Sequence, residues 1–177
     1  GILENAIINE DIGVIYEFGK GRPVDYKEAS KWYEEAALLE DSKAQYNLAQ
    51  LYTYGRGVDI DYDKAIDWYL LSAKNGYTSA YVSLGYMHDN GYGVEKNIVR
   101  ALDFYKLGAF LNDKVALHNI GYMYDKGIVL EKSHELAFKY YQKAAKEDYP
   151  SSLLNLGYMY EYGEFVDKDL KLAYEYY

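Results

Sequence analysis

The segment LAQLYTYGRGVDIDYDKAIDWY, at residues 48–69, contains a glycine pair of the kind that can hold a phosphate. In such a loop, backbone N–H groups next to Gly55 and Gly57 would donate to the phosphate oxygens. A nucleotide loop follows a strand and precedes a helix, whereas the residues before Gly55 have helical periodicity. We therefore interpret Gly55 as a helix cap, because glycine adopts the left-handed conformation without steric strain.

The same segment contains alternating acids, Asp59, Asp61 and Asp63, which is the pattern of an EF-hand calcium loop. That loop requires glycine at its sixth position and glutamate at its last, where this chain has Lys64 and Leu70. Asp61 is instead expected to cap a helix, since its side chain can accept from an otherwise unbonded backbone N–H. The acids therefore indicate the start of a helix.

The three histidines, His88, His118 and His134, do not lie at metal-ligand spacing on a shared helix face. No serine–histidine–acid set and no carboxylate pair can be singled out among the many acids of the chain. The sequence therefore predicts no metal site, no cofactor, no catalytic residue and a protein that is not an enzyme.

The composition limits the classes of partner. The formal net charge of −9 disfavours nucleic acid and anionic membrane surfaces, because both are bound by clusters of Lys and Arg. No long apolar run suggests a membrane span, so we predict no direct membrane contact. Cysteine is absent, which excludes a disulfide framework and thiolate metal sites.

The glycine and acid patterns recur along the chain with a fixed period of 36 residues. Five copies follow one register without insertion or deletion, which is the signature of a repeat array. We predict a single domain over residues 1–177 with repeats at 8–43, 44–79, 80–115, 116–151 and 152–177. Residues 1–7 align with the tail of a preceding repeat, so both ends are expected to be truncated.

Each repeat is predicted to contain two helices. The first spans about residues 44–54 in the second copy and ends at a glycine column comprising Gly19, Gly55, Gly91, Gly127 and Gly163. The second begins at a column of good N-cap residues, namely Asp25, Asp61, Asn97, Ser133 and Asp169. Small residues such as Gly121 and Ala65 should let the two helices approach closely while aromatic side chains fill the space around them.

The repeat resembles the Sel-one-like repeat (SLR), a relative of the tetratricopeptide repeat. The resemblance covers essentially the whole chain and rests on the order of Ala44, Leu48, Ala49, Tyr52, Gly55, Gly57, Val58, Asp61, Lys64, Ala65, Trp68, Tyr69, Ala73 and Gly76. Departures include His88 in a tyrosine column, Leu136 and Leu172 in the lysine column, and loss of the second glycine at Val129 and Phe165.

The resemblance implies an all-α fold, a right-handed α/α superhelix (solenoid) of antiparallel helix pairs whose first helices line a concave face. It also implies a non-catalytic adaptor or scaffold that binds protein partners. It implies no shared catalytic residue.

Three columns of the first helix point away from the predicted core. They contain the candidate binding residues Tyr46, Gln50, Tyr86, Tyr122, Tyr158, Asp89, Asp125 and Glu161, together with Thr53. We predict that these residues face solvent and bind a peptide or protein with basic and apolar side chains, since exposed aromatics anchor partners and acids attract positive charge.

Two alternatives stay open from the sequence alone. The tyrosines can simply cover neighbouring helix surface, since the chain contains 24 of them. The domain can also be a structural module that associates with itself through solenoid ends or concave faces, because stacking leaves apolar surface on a terminal helix. A column of asparagines, Asn47, Asn119 and Asn155, is expected to form hydrogen bonds between adjacent first helices.

Overall fold

The computed structural model describes all residues, 1–177, and contains ten α-helices and no strand. The helices are α1 (Ile2–Phe18), α2 (Tyr26–Leu38), α3 (Ser42–Tyr54), α4 (Tyr62–Lys74), α5 (Ser79–Asn90), α6 (Ile98–Phe110), α7 (Lys114–Lys126), α8 (His134–Ala145), α9 (Pro150–Tyr162) and α10 (Leu170–Tyr176). The predicted all-α class built from helix pairs is therefore confirmed.

The chain divides into two compact units. Unit 1 comprises Gly1–Lys96 and contains α1 to α5, and unit 2 comprises Asn97–Tyr177 and contains α6 to α10. Within each unit, the main packing is between helices that follow one another in the sequence.

The predicted starts of the second helices are confirmed. The Asp61 carboxylate accepts from the backbone N–H of Lys64 at 3.0 Å, which satisfies one of the free donors of α4. Equivalent bonds cap α2, α6, α8 and α10. The first helix of the second copy begins two residues earlier than predicted, because Asp41 caps it by accepting from Ala44 N at 2.8 Å.

The predicted glycine caps are also confirmed. All five are left-handed, as Gly55 is with φ of 64°. In unit 1, the residue two positions after each of these caps is also a left-handed glycine. In unit 2, this position is occupied by Val129 (φ 61°) and Phe165 (φ 65°), which have the same left-handed conformation. The turn therefore has one conformation in both units, whatever residue occupies it.

A close helix crossing organises each hairpin. A Cβ added to Gly121 of α7 would lie 2.8 Å from Cδ1 of Tyr141 on α8, and one added to Gly13 of α1 would lie 2.5 Å from the Tyr33 ring on α2. Both tyrosine rings are buried. This is the close contact that the small-residue column predicted.

The N-terminal residues extend the first helix. Residues 2–7 belong to α1, whereas residues 37–43, with which the repeat register aligns them, contain the end of α2, a turn and the start of α3. Ile2, Leu3, Ile7 and Ile8 in this extension are between 54% and 77% exposed, so α1 presents an apolar surface to solvent.

Candidate functional site

Three tyrosines occupy the same position on successive first helices and have nearly the same exposure. Tyr86 of α5 is 40% exposed, Tyr122 of α7 is 45% exposed and Tyr158 of α9 is 44% exposed. Tyr86 lies in unit 1 and the other two lie in unit 2. We call these three residues the tyrosine column. Each side chain is therefore partly covered and partly open to solvent.

Neighbouring aromatic rings support the tyrosine column. Tyr86 contacts Tyr92 edge to face with ring centroids 5.8 Å apart, and Tyr92 stacks on Tyr62 at 5.0 Å. Partial burial, followed by the neighbouring Tyr92, raises the pKa of the Tyr86 phenol. The Tyr158 ring contacts Tyr177 edge to face at 5.8 Å. These contacts support the Tyr86 and Tyr158 rings, whereas the Tyr122 ring has Lys126 Nζ 5.9 Å from its centroid.

Tyr46 and Gln50, predicted to face solvent, are half-buried and make internal contacts. The Tyr46 ring lies 4.8 Å from that of Tyr77 and 5.7 Å from that of Tyr69. The Gln50 side chain donates to Ser83 Oγ at 3.4 Å and so links α3 to α5. Both residues therefore border the first-helix surface of unit 1 instead of projecting from it.

The acidic column, predicted to face solvent, points towards the second helix of its own hairpin. Glu17 accepts from the Tyr33 hydroxyl at 2.5 Å, and Glu161 accepts from the Tyr177 hydroxyl. Thr53 fills this position in the second copy, where it is only 5% exposed and lies 3.1 Å from the Tyr69 hydroxyl. The prediction that Thr53 faces solvent is therefore wrong, because it pairs with a buried phenol across the hairpin.

Asp125 is the exception in this column. It does not bond to the tyrosine of its own hairpin: its Oδ1 lies 3.1 Å from His134 Nδ1 and its Oδ2 lies 2.7 Å from Lys126 Nζ. The Tyr141 hydroxyl is buried beside the Asn155 amide but makes no hydrogen bond of normal geometry. Burial and the nearby Asp125 carboxylate raise the pKa of Tyr141, and the adjacent Asn155 amide opposes this shift.

The missing bond coincides with a cleft of about 340 Å³ in unit 2. Its lining combines carboxylate, amide, amine and phenol groups, from Asp125, Lys126, Tyr141, Asn155, Tyr158, Met159, Tyr162 and Glu164. The cleft therefore brings together one residue of the tyrosine column and one of the acidic column. Sequence reasoning missed it, since Tyr141 and Glu164 were not among the candidates.

A larger cleft of about 620 Å³ in unit 2 contains none of the predicted site residues. Lys106, Lys143 and Lys146 line it together with Phe110, which is 88% exposed. Its charge is opposite to that of the chain as a whole, so it would favour an acidic group and not a basic partner.

Polar side chains connect first helices within each unit, as predicted for Asn47. The Asn47 amide of α3 donates to Glu10 of α1 at 3.2 Å, and Lys43 lies 3.3 Å from the same carboxylate. Burial raises the pKa of Glu10, and Lys43 opposes this effect. In unit 2, His118 of α7 lies 2.9 Å from Ser152 Oγ of α9.

Antiparallel helix hairpins with one repeated contact pattern define the class of α-solenoid repeat proteins. The sequence profile of the Sel1 repeat matches residues 10–41, 42–77, 78–113, 114–149 and 150–177. The chain therefore belongs to the Sel1 repeat family, as its residues indicated.

Solved structures agree with this assignment. A Sel1 repeat protein from Oxalobacter formigenes is 31% identical, with a TM-score of 0.87 over 97% of this chain and 70% of that one. A protective antigen of uropathogenic Escherichia coli with an SLR fold is 30% identical, with a TM-score of 0.81 over 97% of this chain and 37% of the antigen. An immunity protein from Pseudomonas aeruginosa is 26% identical, with a TM-score of 0.72 over 97% of this chain and 63% of that protein. No curated protein sequence matches.

Membership of this family defines the general role. Sel1 repeats mediate protein–protein interaction, and proteins built from them are generally interaction scaffolds with a fold that is typically non-catalytic. None of the ten helices is both long and apolar enough to cross a membrane.

Proposed function

We propose that this chain is a non-catalytic scaffold that binds a protein or peptide partner with basic and apolar side chains on the surface of its first helices. The observation that carries the proposal is the tyrosine column, in which the three rings differ by only five percentage points in exposure, from 40% to 45%. Partly exposed, well-supported aromatic rings are the side chains that most often anchor a partner. Packing alone does not require three equivalent rings to stay open to solvent.

The charge of the chain supports a basic partner. The formal net charge is −9, and the half-buried carboxylates of Asp89, Asp125 and Glu161 lie one helical turn after the tyrosine column. A negative surface accelerates encounter with a positive partner and disfavours acidic ones. Tyr46 and Gln50 then shape the first-helix surface of unit 1, while the tyrosines supply the affinity.

Selection of binding peptides from a random phage-displayed library on the immobilised chain tests the proposal. We expect the selected peptides to contain Lys or Arg next to apolar residues. Their affinity should fall at least about tenfold for the variant Y86A/Y122A/Y158A, since removing anchor residues typically costs more than 1 kcal/mol each. Circular dichroism should show nearly unchanged helicity and melting, because each ring is already about half exposed.

The variant Y54A/L107A/Y174A provides a matched control, since these three side chains are 50%, 48% and 83% exposed outside the tyrosine column. It should retain the selected peptides. Equal retention by both triple variants would discard the tyrosine column as the binding surface. Selection of acidic peptides would instead point to the cleft lined by Lys106, Lys143 and Lys146.

A second candidate function is self-association, which the apolar surface of α1 favours. Ile2 and Leu3 are 70% and 77% exposed, and contiguous exposed apolar residues mark interaction surfaces. Sedimentation velocity at several concentrations, with the variant L3D/I7D as control, separates the two candidates. A concentration-dependent dimer that L3D/I7D abolishes supports self-association, and a monomer at all concentrations eliminates it.

A further inference from the structure

Three potential metal ligands converge at one end of the α7–α8 hairpin in unit 2. The donor atoms of Asp125, His134 and Glu164 all lie within 4.8 Å of one another. Asp125 is in the last turn of α7, His134 is the first residue of α8, and Glu164 directly follows Gly163, the cap of α9. The spacing of the histidines predicted no metal site, but the fold brings a histidine and two acids together from three segments.

We propose that Asp125, His134 and Glu164 bind one divalent transition-metal ion, with Zn²⁺ the best fit. The imidazole is a borderline ligand, and a set of one imidazole and two carboxylates suits Zn²⁺ better than Mg²⁺ or Ca²⁺, which prefer all-oxygen sites. Ligand bonds of about 2.0–2.2 Å place two donors of one tetrahedral ion roughly 3.5 Å apart. The donors therefore need to close by about an ångström, and Glu164 can move because its side chain is exposed.

An independent observation indicates that this place takes a ligand. The hydroxyl of Tyr141, a residue only 1% exposed, lies beside the Asn155 amide without a hydrogen bond of normal geometry and lines the cleft that Asp125 and Glu164 also line. A buried hydroxyl without a partner is unfavourable, and native proteins seldom keep one. Three protein ligands leave the fourth position of a zinc ion to water, and that water would supply the missing partner to Tyr141.

The other hairpins show that this arrangement is specific. Tyr33 and Tyr69, the equivalents of Tyr141, bond to Glu17 and Thr53 of their own hairpins. In the α7–α8 hairpin, by contrast, the acid pairs with a histidine. Because Asp125 pairs with His134 and not with Tyr141, its carboxylate is available as a metal ligand, and the Tyr141 hydroxyl is available to a ligand in the cleft.

Lys126 already places a positive charge at this site. Its ammonium lies 2.7 Å from Asp125 Oδ2, while its side chain is 55% exposed. A metal ion would replace this ammonium, and the flexible lysine stem can swing into solvent. Removal of Lys126 should therefore strengthen metal binding, a change opposite in sign to that expected for removal of any ligand.

Titration of the chain with Co²⁺, followed by competition with Zn²⁺, tests the proposal. The visible Co²⁺ spectrum reports coordination, and isothermal calorimetry gives stoichiometry and affinity. We expect one ion per chain and a loss of at least about tenfold in affinity for H134Q, D125N and E164Q. Y141F should weaken binding roughly tenfold, as loss of an outer-shell partner usually does. K126Q should bind several-fold more tightly.

E135Q is the matched control, because it removes an exposed acid from the residue after His134 without changing the three ligands. It should bind the metal as the wild type does. A wild-type chain that binds no Zn²⁺ at about 100 µM would overturn the proposal. Equal losses of metal affinity in H134Q and E135Q would also overturn it. These results are separable from the partner-binding proposal when the peptide selection is repeated with a chelator present.

Discussion

The hairpins α3–α4 in unit 1 and α7–α8 in unit 2 have the same plan but use it differently. In both, the first helix has 13 residues and ends at a left-handed glycine, and the second begins at a capped residue. In both, a tyrosine of the second helix and a small residue of the first are buried, Tyr69 with Ala49 and Tyr141 with Gly121, and the Tyr141 ring lies directly against Gly121. The two hairpins therefore share their helix caps and the close crossing of their helices.

The two hairpins differ in a polar bond and in a turn residue. Tyr69 bonds to Thr53, whereas Tyr141 has no bond because Asp125 pairs with His134 and Lys126. The turn after the first helix has Gly57 in unit 1 and Val129 in unit 2, both left-handed. The comparison teaches that stacking depends on caps and packing, while the polar bond inside a hairpin can differ from one repeat to another.

The largest change in the free energy of unfolding should come from a valine at position 57 in the unit 1 turn. A Cβ at Gly57 would lie 2.3 Å from the backbone carbonyl of Tyr26, and φ is 72°. G57V should therefore lower the free energy of unfolding by about 3 kcal/mol or more, from backbone strain and overlap together. Urea unfolding followed by circular dichroism measures this change.

The reciprocal variant, V129G, sharpens the same comparison. Valine at φ of 61° is strained, so glycine should raise the free energy of unfolding by about 0.5–1 kcal/mol after allowance for its greater freedom when unfolded. A loss of stability in V129G would show that the valine side chain makes a contact that outweighs its strained conformation.

The next effect concerns the crossing that both hairpins share. G121L should cost about 1–3 kcal/mol, because the added side chain must displace the Tyr141 ring and approach the Ala137 carbonyl. G121A is its control and should be milder, since Ala49 already occupies the equivalent position in unit 1. Thermal melting of G121L equal to that of the wild type would contradict the close crossing.

The hydroxyl groups of the two buried tyrosines should respond in opposite directions. Y69F removes a hydrogen bond to Thr53 and should lower stability by about 1 kcal/mol. Y141F removes a hydroxyl without a partner and should leave stability unchanged or raise it by up to about 1 kcal/mol in the presence of a chelator. Equal losses in both variants would mean that Tyr141 has a protein partner in solution.

The smallest effect distinguishes the hairpins by pH. His118 of α7 occupies the position of Tyr46, packs against Tyr141 and Tyr149, and has a pKa lowered by burial from 6.5. Because the unfolded state binds the proton more readily, His118 contributes stability above its unfolded pKa that is lost as the pH falls towards its folded pKa. As the pH is lowered from about 7.5 to about 5.5, the melting temperature of H118Q should therefore rise relative to that of the wild type. A pH-independent difference would exclude titration of His118.

Most of the fold could be predicted from the sequence, because the signals that define it are local. In the second copy, Gly55 follows the apolar stripe of the first helix and marks its end, and Asp61 precedes the stripe of the second helix and marks its start. The other copies have equivalent residues at these two positions. Five copies in register then make each weak signal strong. The start of α3 was predicted two residues late, since the apolar stripe begins after its cap, Asp41.

The site was predicted less well because it depends on contacts between helices. A helical wheel separates the core direction from the opposite direction, and it correctly left Tyr86, Tyr122 and Tyr158 exposed. It could not tell that Glu17 and Thr53 flank the crossing and reach a tyrosine 16 residues later. The recurring pairing of acid and tyrosine columns was the available signal, and Asp125, which pairs with His134, does not follow it.

Packing between consecutive helices also has a consequence for how this chain is made. Since each helix within a unit finds its main neighbour immediately before or after it, contacts close short loops and require no distant segment. Once about three repeats have left the ribosome, they can therefore pack on one another while later repeats are still being translated. Synthesis from the N-terminus then adds one finished layer at a time, which keeps each newly exposed apolar face uncovered only until the next hairpin arrives.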